Sequence, residues 1–229
     1  IYKPTQTDAK YMNSPESDIF IKGQTLYHYH QCREAVKQAG FVYLLEGFMD
    51  VIAMYKAGIG NTLAIMGTAL TKGHIQALRR LTNTVHLCLD GDQAGQAAMS
   101  KAARELEEAG FKVQIIILPD GKDPDEIYQM HGQEGLEEVL RKTVKPIEFQ
   151  MDFEYQLVDP LNYDDRKQYL EKMCYEITQI TDDIDRDYYI HVLSKKSGFS
   201  YEIIQQRVVG MKPQRIEDTV HREIKKTIQ

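Results

Sequence analysis

Short apolar runs alternate with longer amphipathic stretches through the middle of this chain, and that alternation sets the fold class. Residues 41–45, 62–65, 85–89 and 113–118 are nearly unbroken runs of aliphatic, aromatic and β-branched side chains. Such runs predict strands buried on both faces. Residues 48–57, 71–81 and 93–109, which separate them, predict helices, and Gly58 and Gly110 stand where the first and third of these should close. Strands spaced by helices of this length predict βαβ units and a mainly parallel sheet flanked by helices, an α/β fold. In the third helix Ala94, Ala98, Ala102 and Leu106 recur at every fourth position. That stripe predicts a small-residue face lying close on the sheet.

The flanks read differently. Turn formers dominate the start, followed by a predicted helix over 24–39 that stops at Gly40. After Pro119 the pattern predicts short helices over 123–130 and 134–140. From residue 147 onward it is helical throughout, interrupted at Pro160, Gly198 and Pro213. Ser200 is an N-cap ahead of Tyr201, and the acidic run from Asp182 to Asp187 caps another helix. The expected organisation is a lead-in over 1–40, an α/β domain over 41–140, and a small all-α subdomain with a polar tail over 141–229.

Composition narrows the function classes. Hydrophobic residues make up 42% and charged residues 27% of the chain, ordinary for a globular protein. No apolar run is long enough to span a membrane and no signal peptide is visible, so the expected setting is cytoplasmic without a membrane partner. The chain begins at Ile1 inside a polar stretch, which suggests a piece of a longer protein. Cys32, Cys88 and Cys174 are far apart and lack a CxxC pair, so neither a disulfide framework nor zinc is expected. His28 and His30 alternate along a predicted helix and are discounted as a metal pair. The net charge of −6 is wrong for a self-sufficient nucleic-acid binder, which normally carries a basic stripe.

Three acidic clusters carry the chemistry: Glu46-Gly47-Phe48-Met49-Asp50, Asp90-Gly91-Asp92 and Asp123-Pro124-Asp125-Glu126. The first two follow predicted strands, and ligands of open parallel sheets collect beyond the carboxyl ends of strands. Carboxylates converging there repel one another, and a divalent cation relieves the repulsion. This predicts a Mg²⁺-type site acting on phosphates. Gly47 permits a tight strand-to-helix turn with phosphate close to the backbone, and Pro124 suits the first turn of a helix. An EF-hand would need an oxygen ligand and a Glu where Ala94 and Lys101 stand, so that reading fails. A haloacid-dehalogenase-type phosphatase would need Thr or Val where Ala94 stands, which weakens that reading too.

The order EGxxD, DGDxAG, DGxDPD resembles the Toprim domain of bacterial DnaG-type primases. The opening Lys10-Tyr11-Met12-Asn13-Ser14-Pro15, the later Phe20-Ile21-Lys22-Gly23, and Gly67-Thr68-Ala69-Leu70-Thr71 with His74 resemble the same family. The resemblance implies a Toprim-like sheet followed by a helical subdomain, and an enzyme that joins ribonucleotides into short RNA primers on single-stranded DNA. It implies catalytic roles for Glu46, Asp90 and Asp92. Metal binding would fall to these together with Asp50, Asp123 and Asp125, with Mg²⁺ as cofactor and Mn²⁺ able to substitute. Glu46 is either a metal ligand or the group that handles the 3′-hydroxyl proton. Lys10, Asn13, Ser14, Lys22, Gly47, Thr71 and His74 are implied nucleotide contacts, although Thr71 as a pure N-cap and His74 as a packing residue are equal readings. Implied partners are ribonucleoside triphosphates, the DNA template with its RNA–DNA hybrid, and the replicative helicase through a domain expected to lie outside this chain. The zinc-binding domain and the basic part of the polymerase core are expected outside it as well. A Toprim nuclease or topoisomerase fragment, and a metal- or nucleotide-binding module without turnover, stay open at this level.

Overall fold

The computed structural model describes residues 15–211 apart from 19 and 68. Its sheet contains β1 (Val42–Leu45), β2 (Thr62–Ala64), β3 (Thr84–Cys88), β4 (Lys112–Ile116) and β5 (Thr143–Val144) in the order β2-β1-β3-β4-β5. The first four strands are parallel, and β5 pairs antiparallel with β4. All four residues of β1 and all three of β2 are buried. The unbroken apolar runs therefore report a sheet covered on both faces.

Strand order locates the ligand crevice. The connection from β1 leads outward to β2, whereas the connection from β3 leads the other way to β4. Beyond the carboxyl ends of β1 and β3 the following loops diverge and leave a crevice. The residues entering those two loops are Glu46 and Asp90.

The helices of this half are α1 (Arg33–Ala39), α2 (Phe48–Lys56), α3 (Lys72–Arg79), α4 (Gln93–Glu108) and α5 (Pro124–Leu140). One core cluster joins Tyr43, Leu45, Cys88 and Ile116 of the sheet to Val51 and Met54 of α2 and to Ile127, Leu136 and Leu140 of α5. Full burial of such aliphatic side chains contributes roughly 1.5–3 kcal/mol each. The pairing of α2 with α5 matters for function, because both helices begin at acidic clusters.

Helical content beyond β5 comprises α6 (Pro146–Tyr155), α7 (Tyr163–Thr178), α8 (Asp183–Ser197) and α9 (Tyr201–Gly210). The chain divides into two compact units, Ile1–Phe149 and Gln150–Gln229. In the second unit Met173, Cys174, Ile177, Leu193 and Ile204 are fully buried where α7, α8 and α9 pack. Side chains of Asn162, Asp182 and Ser200 cap these three helices, as expected for the last two.

Four departures from the sequence reading have physical causes. The predicted helix over 24–39 is α-helical only across α1. Residues 25–32 instead form a short bridge and turns, in which Tyr27 exchanges backbone hydrogen bonds with Ala64 on the open edge of β2. The edge would otherwise be unpaired, and the Tyr-His-Tyr-His run has weak helix propensity. His28, at φ 69°, sets its Nδ1 against the Thr62 carbonyl and stays outside any helix. In α4 the buried face is Gly95, Met99, Ala102, Ala103 and Leu106. Ala94 and Ala98 are exposed, because the large Met99 turns the helix toward the core. The two predicted short helices are one element, α5, broken at Gly132 with φ 65° and ψ −162°. Strand β5 was not expected, because two residues carry no period.

Candidate active site

The acidic loops open onto a pocket of about 230 Å³. Glu46, Asp50, Asp90, Asp123 and Asp125 line it, together with the backbone at Gly47 and Gly67. Five expected carboxylates thus meet at the crevice between β1 and β3.

Each is placed by a local device. Asp50 stands in the first turn of α2, almost fully buried at 4% exposure, and accepts the Gly47 N–H on Oδ2 at 3.0 Å. The Asp125 backbone N–H also lowers its pKa, so the start of α5 bears on a carboxylate that the start of α2 holds. Asp92 is the N-cap of α4 and accepts the Gly95 N–H at 2.7 Å. Asp123 is the N-cap of α5, accepts the Glu126 N–H at 2.7 Å, and donates its own N–H to Glu126 Oε2 at 3.3 Å. This is a reciprocal capping box. Asp125 accepts from Gln129 at 2.6 Å. The caps satisfy helix N–H groups and fix the carboxylates at the same time.

Electrostatics follow from this crowding. Burial pushes the Asp50 carboxyl up from 3.8 to about 7, and the charges of Asp123 and then Asp90 add to it against the opposing Gly47 N–H. Asp90 also rises to about 7, through burial first and then the charges of Glu46, Asp123, Asp92 and Glu126. Glu46 is raised by burial and by Asp92, and is held down in part by the Asp90 backbone N–H. Neighbouring like charges of this kind mark a place where positive charge is wanted. The donors are all hard oxygens, a set that suits a hard divalent cation. Among the described residues no three acidic, His or Cys side chains stand ready as a metal cage.

Other expected site residues fall elsewhere. Asp92 does not line the pocket, but its charge bears on Glu46 and Asp90. Thr71 caps α3: its Oγ1 accepts the His74 N–H at 3.1 Å and donates to the Gly23 carbonyl. His74 is completely buried, with Nε2 against the Lys22 carbonyl at 2.8 Å. These two residues anchor the 3₁₀ turn Lys22–Gln24, and neither they nor the Lys22 side chain line the acidic pocket. Lys10, Asn13 and Ser14 lie outside the described residues. Sequence reasoning missed Met66 as a lining residue. Met66 and Gly67 stand at φ 55° and 71°, and the adjoining glycine was the available signal of an unusual turn there.

Comparisons with known proteins agree with this geometry. Residues 43–128 match the family model described as Toprim-like, and residues 147–201 match the DnaB-helicase binding domain of primase. The second match corrects the expectation that such a segment lies outside this chain. The DNA primase of Halalkalibacterium halodurans is 36% identical over 198 residues, 86% of this chain and 33% of that protein. The DNA primase of Lactococcus lactis is 37% identical over 202 residues, 87% of this chain and 31% of that protein. The chain thus spans about a third of the length of the curated relatives it matches. A DNA primase domain from Pseudomonas aeruginosa superposes with TM-score 0.66 at 30% identity, covering 88% of this chain and 64% of that one. The DnaG primase catalytic domain bound to single-stranded DNA superposes with TM-score 0.67 at 33% identity, covering 85% and 62%.

Proposed function

We propose, from the premise that this chain is a Toprim-bearing relative of the bacterial DNA primases, that it forms the metal-dependent catalytic part of an enzyme making RNA primers on single-stranded DNA. The observation that carries the reading is the meeting of three acidic loops in one pocket at the β1/β3 crevice. The reaction joins the 3′-hydroxyl oxygen of one ribonucleotide to the α-phosphorus of the next, and pyrophosphate leaves. Mg²⁺, with Mn²⁺ as a substitute, neutralises the triphosphate and lowers the pKa of the attacking hydroxyl when bound. Asp90 and Asp92 hold the cation, with Asp50, Asp123 and Asp125 completing the acidic wall. Glu46, whose raised pKa brings it closer to neutral pH, stands at the mouth of β1 as a ligand or as the acceptor of the hydroxyl proton. Gly47 lines the pocket with its N–H held by Asp50.

Lys10, Asn13, Ser14 and Lys22 are assigned to the triphosphate on the family resemblance alone. Thr71 and His74 are assigned to holding the turn that carries Lys22. Residues 41–140 form the Toprim-like part between the lead-in over 1–40 and the helical part over 141–229. Partners are ribonucleoside triphosphates, the template strand and its hybrid, and the replicative helicase through the segment 147–201. The setting is the bacterial cytoplasm. Among the described residues no helix is long and apolar enough to cross a membrane.

The test is ribonucleotide incorporation on single-stranded DNA by a protein of the full length of these relatives, with Mg²⁺ or Mn²⁺. Template-dependent RNA products support the reading. Metal-dependent DNA cleavage without nucleotides, and no RNA product, replaces it with a nuclease.

A further inference from the structure

The turn Asp90-Gly91-Asp92 has two faces, and the first turn of α4 is built against one of them. A Cβ added at Gly95 would stand 2.2 Å from the Asp90 carbonyl oxygen, 2.9 Å from its carbon and 3.1 Å from Asp90 Cα. All three are backbone atoms, so only displacement of Asp90 could make room. The Gly95 N–H holds the Asp92 carboxylate at 2.7 Å, and the Gln96 side chain donates Nε2–H to the Gly91 carbonyl at 2.9 Å. On the other face Gly91 donates its N–H to the Lys122 carbonyl at 3.3 Å, and a Cβ there would meet the Leu118 carbonyl at 2.9 Å. The turn is clamped on both sides, and the second clamp leads directly to Asp123.

We propose that Gly95 and Gln96 are positioning residues that fix the Asp90-Gly91-Asp92 turn, and with it Asp90 on the wall of the pocket. Gly95 acts by the side chain it lacks and by its N–H, and Gln96 by a side-chain hydrogen bond to the turn's central carbonyl. This rests on the reading of the pocket as a divalent-cation site. Both residues act on the backbone of the turn and on the Asp92 carboxylate from the side of α4. Groups that orient metal ligands from behind affect affinity by about 10- to 100-fold.

The experiment compares the full chain with Gly95→Ala, Gln96→Met and the control Gln93→Met, an exposed glutamine three residues earlier. Two quantities are read: Mn²⁺ affinity by electron paramagnetic resonance, and hydrogen exchange of amides 90–92 in metal-free protein. Gly95→Ala is expected to weaken Mn²⁺ binding about tenfold or more. Gln96→Met is expected to weaken it about fivefold, the equivalent of one ordinary hydrogen bond. Gln96→Met should also accelerate exchange at 90–92 while its thermal midpoint stays near that of Gln93→Met, and it keeps the test open should Gly95→Ala fail to fold. Affinities within twofold of the unsubstituted chain for both variants, or unchanged exchange in Gln96→Met, overturn the proposal. If the unsubstituted chain takes up no Mn²⁺, the cation reading of the pocket falls by itself. Faster exchange in Gln96→Met then still supports the positioning role, and unchanged exchange overturns it.

Discussion

Replacing Asp50 by Asn should make the metal-free protein more stable at pH 8 while damaging its function. Asp50 is buried, and its carboxyl is raised from 3.8 to about 7, by burial first and then by Asp123 and Asp90. A group whose folded pKa lies above its unfolded value contributes stability that is fully present below about 3.8 and lost as pH rises through about 7. At pH 8 the folded chain must hold this carboxylate ionised beside its neighbours, at a cost of up to about 4 kcal/mol. Asn removes that charge and can still accept the Gly47 N–H now bonded to Asp50. Its NH₂ meets the favourable field of the Asp125 backbone N–H with the wrong polarity, which returns about 1–2 kcal/mol. The net expectation is stabilisation of about 2 kcal/mol, a rise of roughly 4–8 °C in Tm for a protein of this size. At pH 4–5 Asp50 is neutral in the folded protein but still partly to mostly ionised when unfolded, so about 0.6–1.7 kcal/mol of the cost remains, which the weakened hydrogen bonding of Asn offsets, leaving little net gain. Thermal unfolding in EDTA at both pH values measures this. Asp50→Asn melting below the unsubstituted protein at pH 8 would refute the reasoning, since it would mean that the charge is already compensated within the chain.

Other predictions concern the same pocket and its supports. Mg²⁺ should raise Tm more at pH 8 than at pH 5, because Asp50 and Asp90 must both ionise to receive it; equal shifts at both pH values would count against the site. Thr71→Val removes the cap of α3 and its bond to Gly23, and should cost about 1–2 kcal/mol in urea unfolding. Asp182→Ala removes the cap of α8 and should cost about 0.5–2 kcal/mol in urea unfolding; an unchanged midpoint would contradict the capping role.

The strands could be read from the chain because a sheet covered on both faces leaves little choice of residue, and β1 shows it with four buried positions in a row. Helix ends were legible where chemistry marks them, at Ser200 and Asp182. The segment 25–32 was not, because its course is decided by a partner, Ala64, that lies far away in sequence. The α4 face was misread because alanine is compatible with either side of a helix, whereas Met99 needs the core. At the site, the acidic residues announced themselves through placement after strands. Their division of labour did not. That Asp92 and Asp123 cap helices while Asp50 is held by the start of α2 depends on backbone N–H positions, which only coordinates supply. The same holds for Thr71 and His74, whose contacts are with Gly23 and Lys22 and not with the pocket.

The central claim is that this acidic pocket is a nucleotidyl-transfer centre, and primer synthesis by aspartate variants tests it most directly. Full-length protein carrying Asp90→Ala or Asp92→Ala would be compared with the unsubstituted enzyme on single-stranded DNA with ribonucleotides and Mg²⁺. RNA primers are expected from the unsubstituted enzyme, with a loss of about 100-fold or more in each variant while cooperative unfolding is kept, Asp92→Ala losing only the roughly 0.5–2 kcal/mol of its cap. Primer synthesis at unsubstituted rates in either variant would contradict that claim.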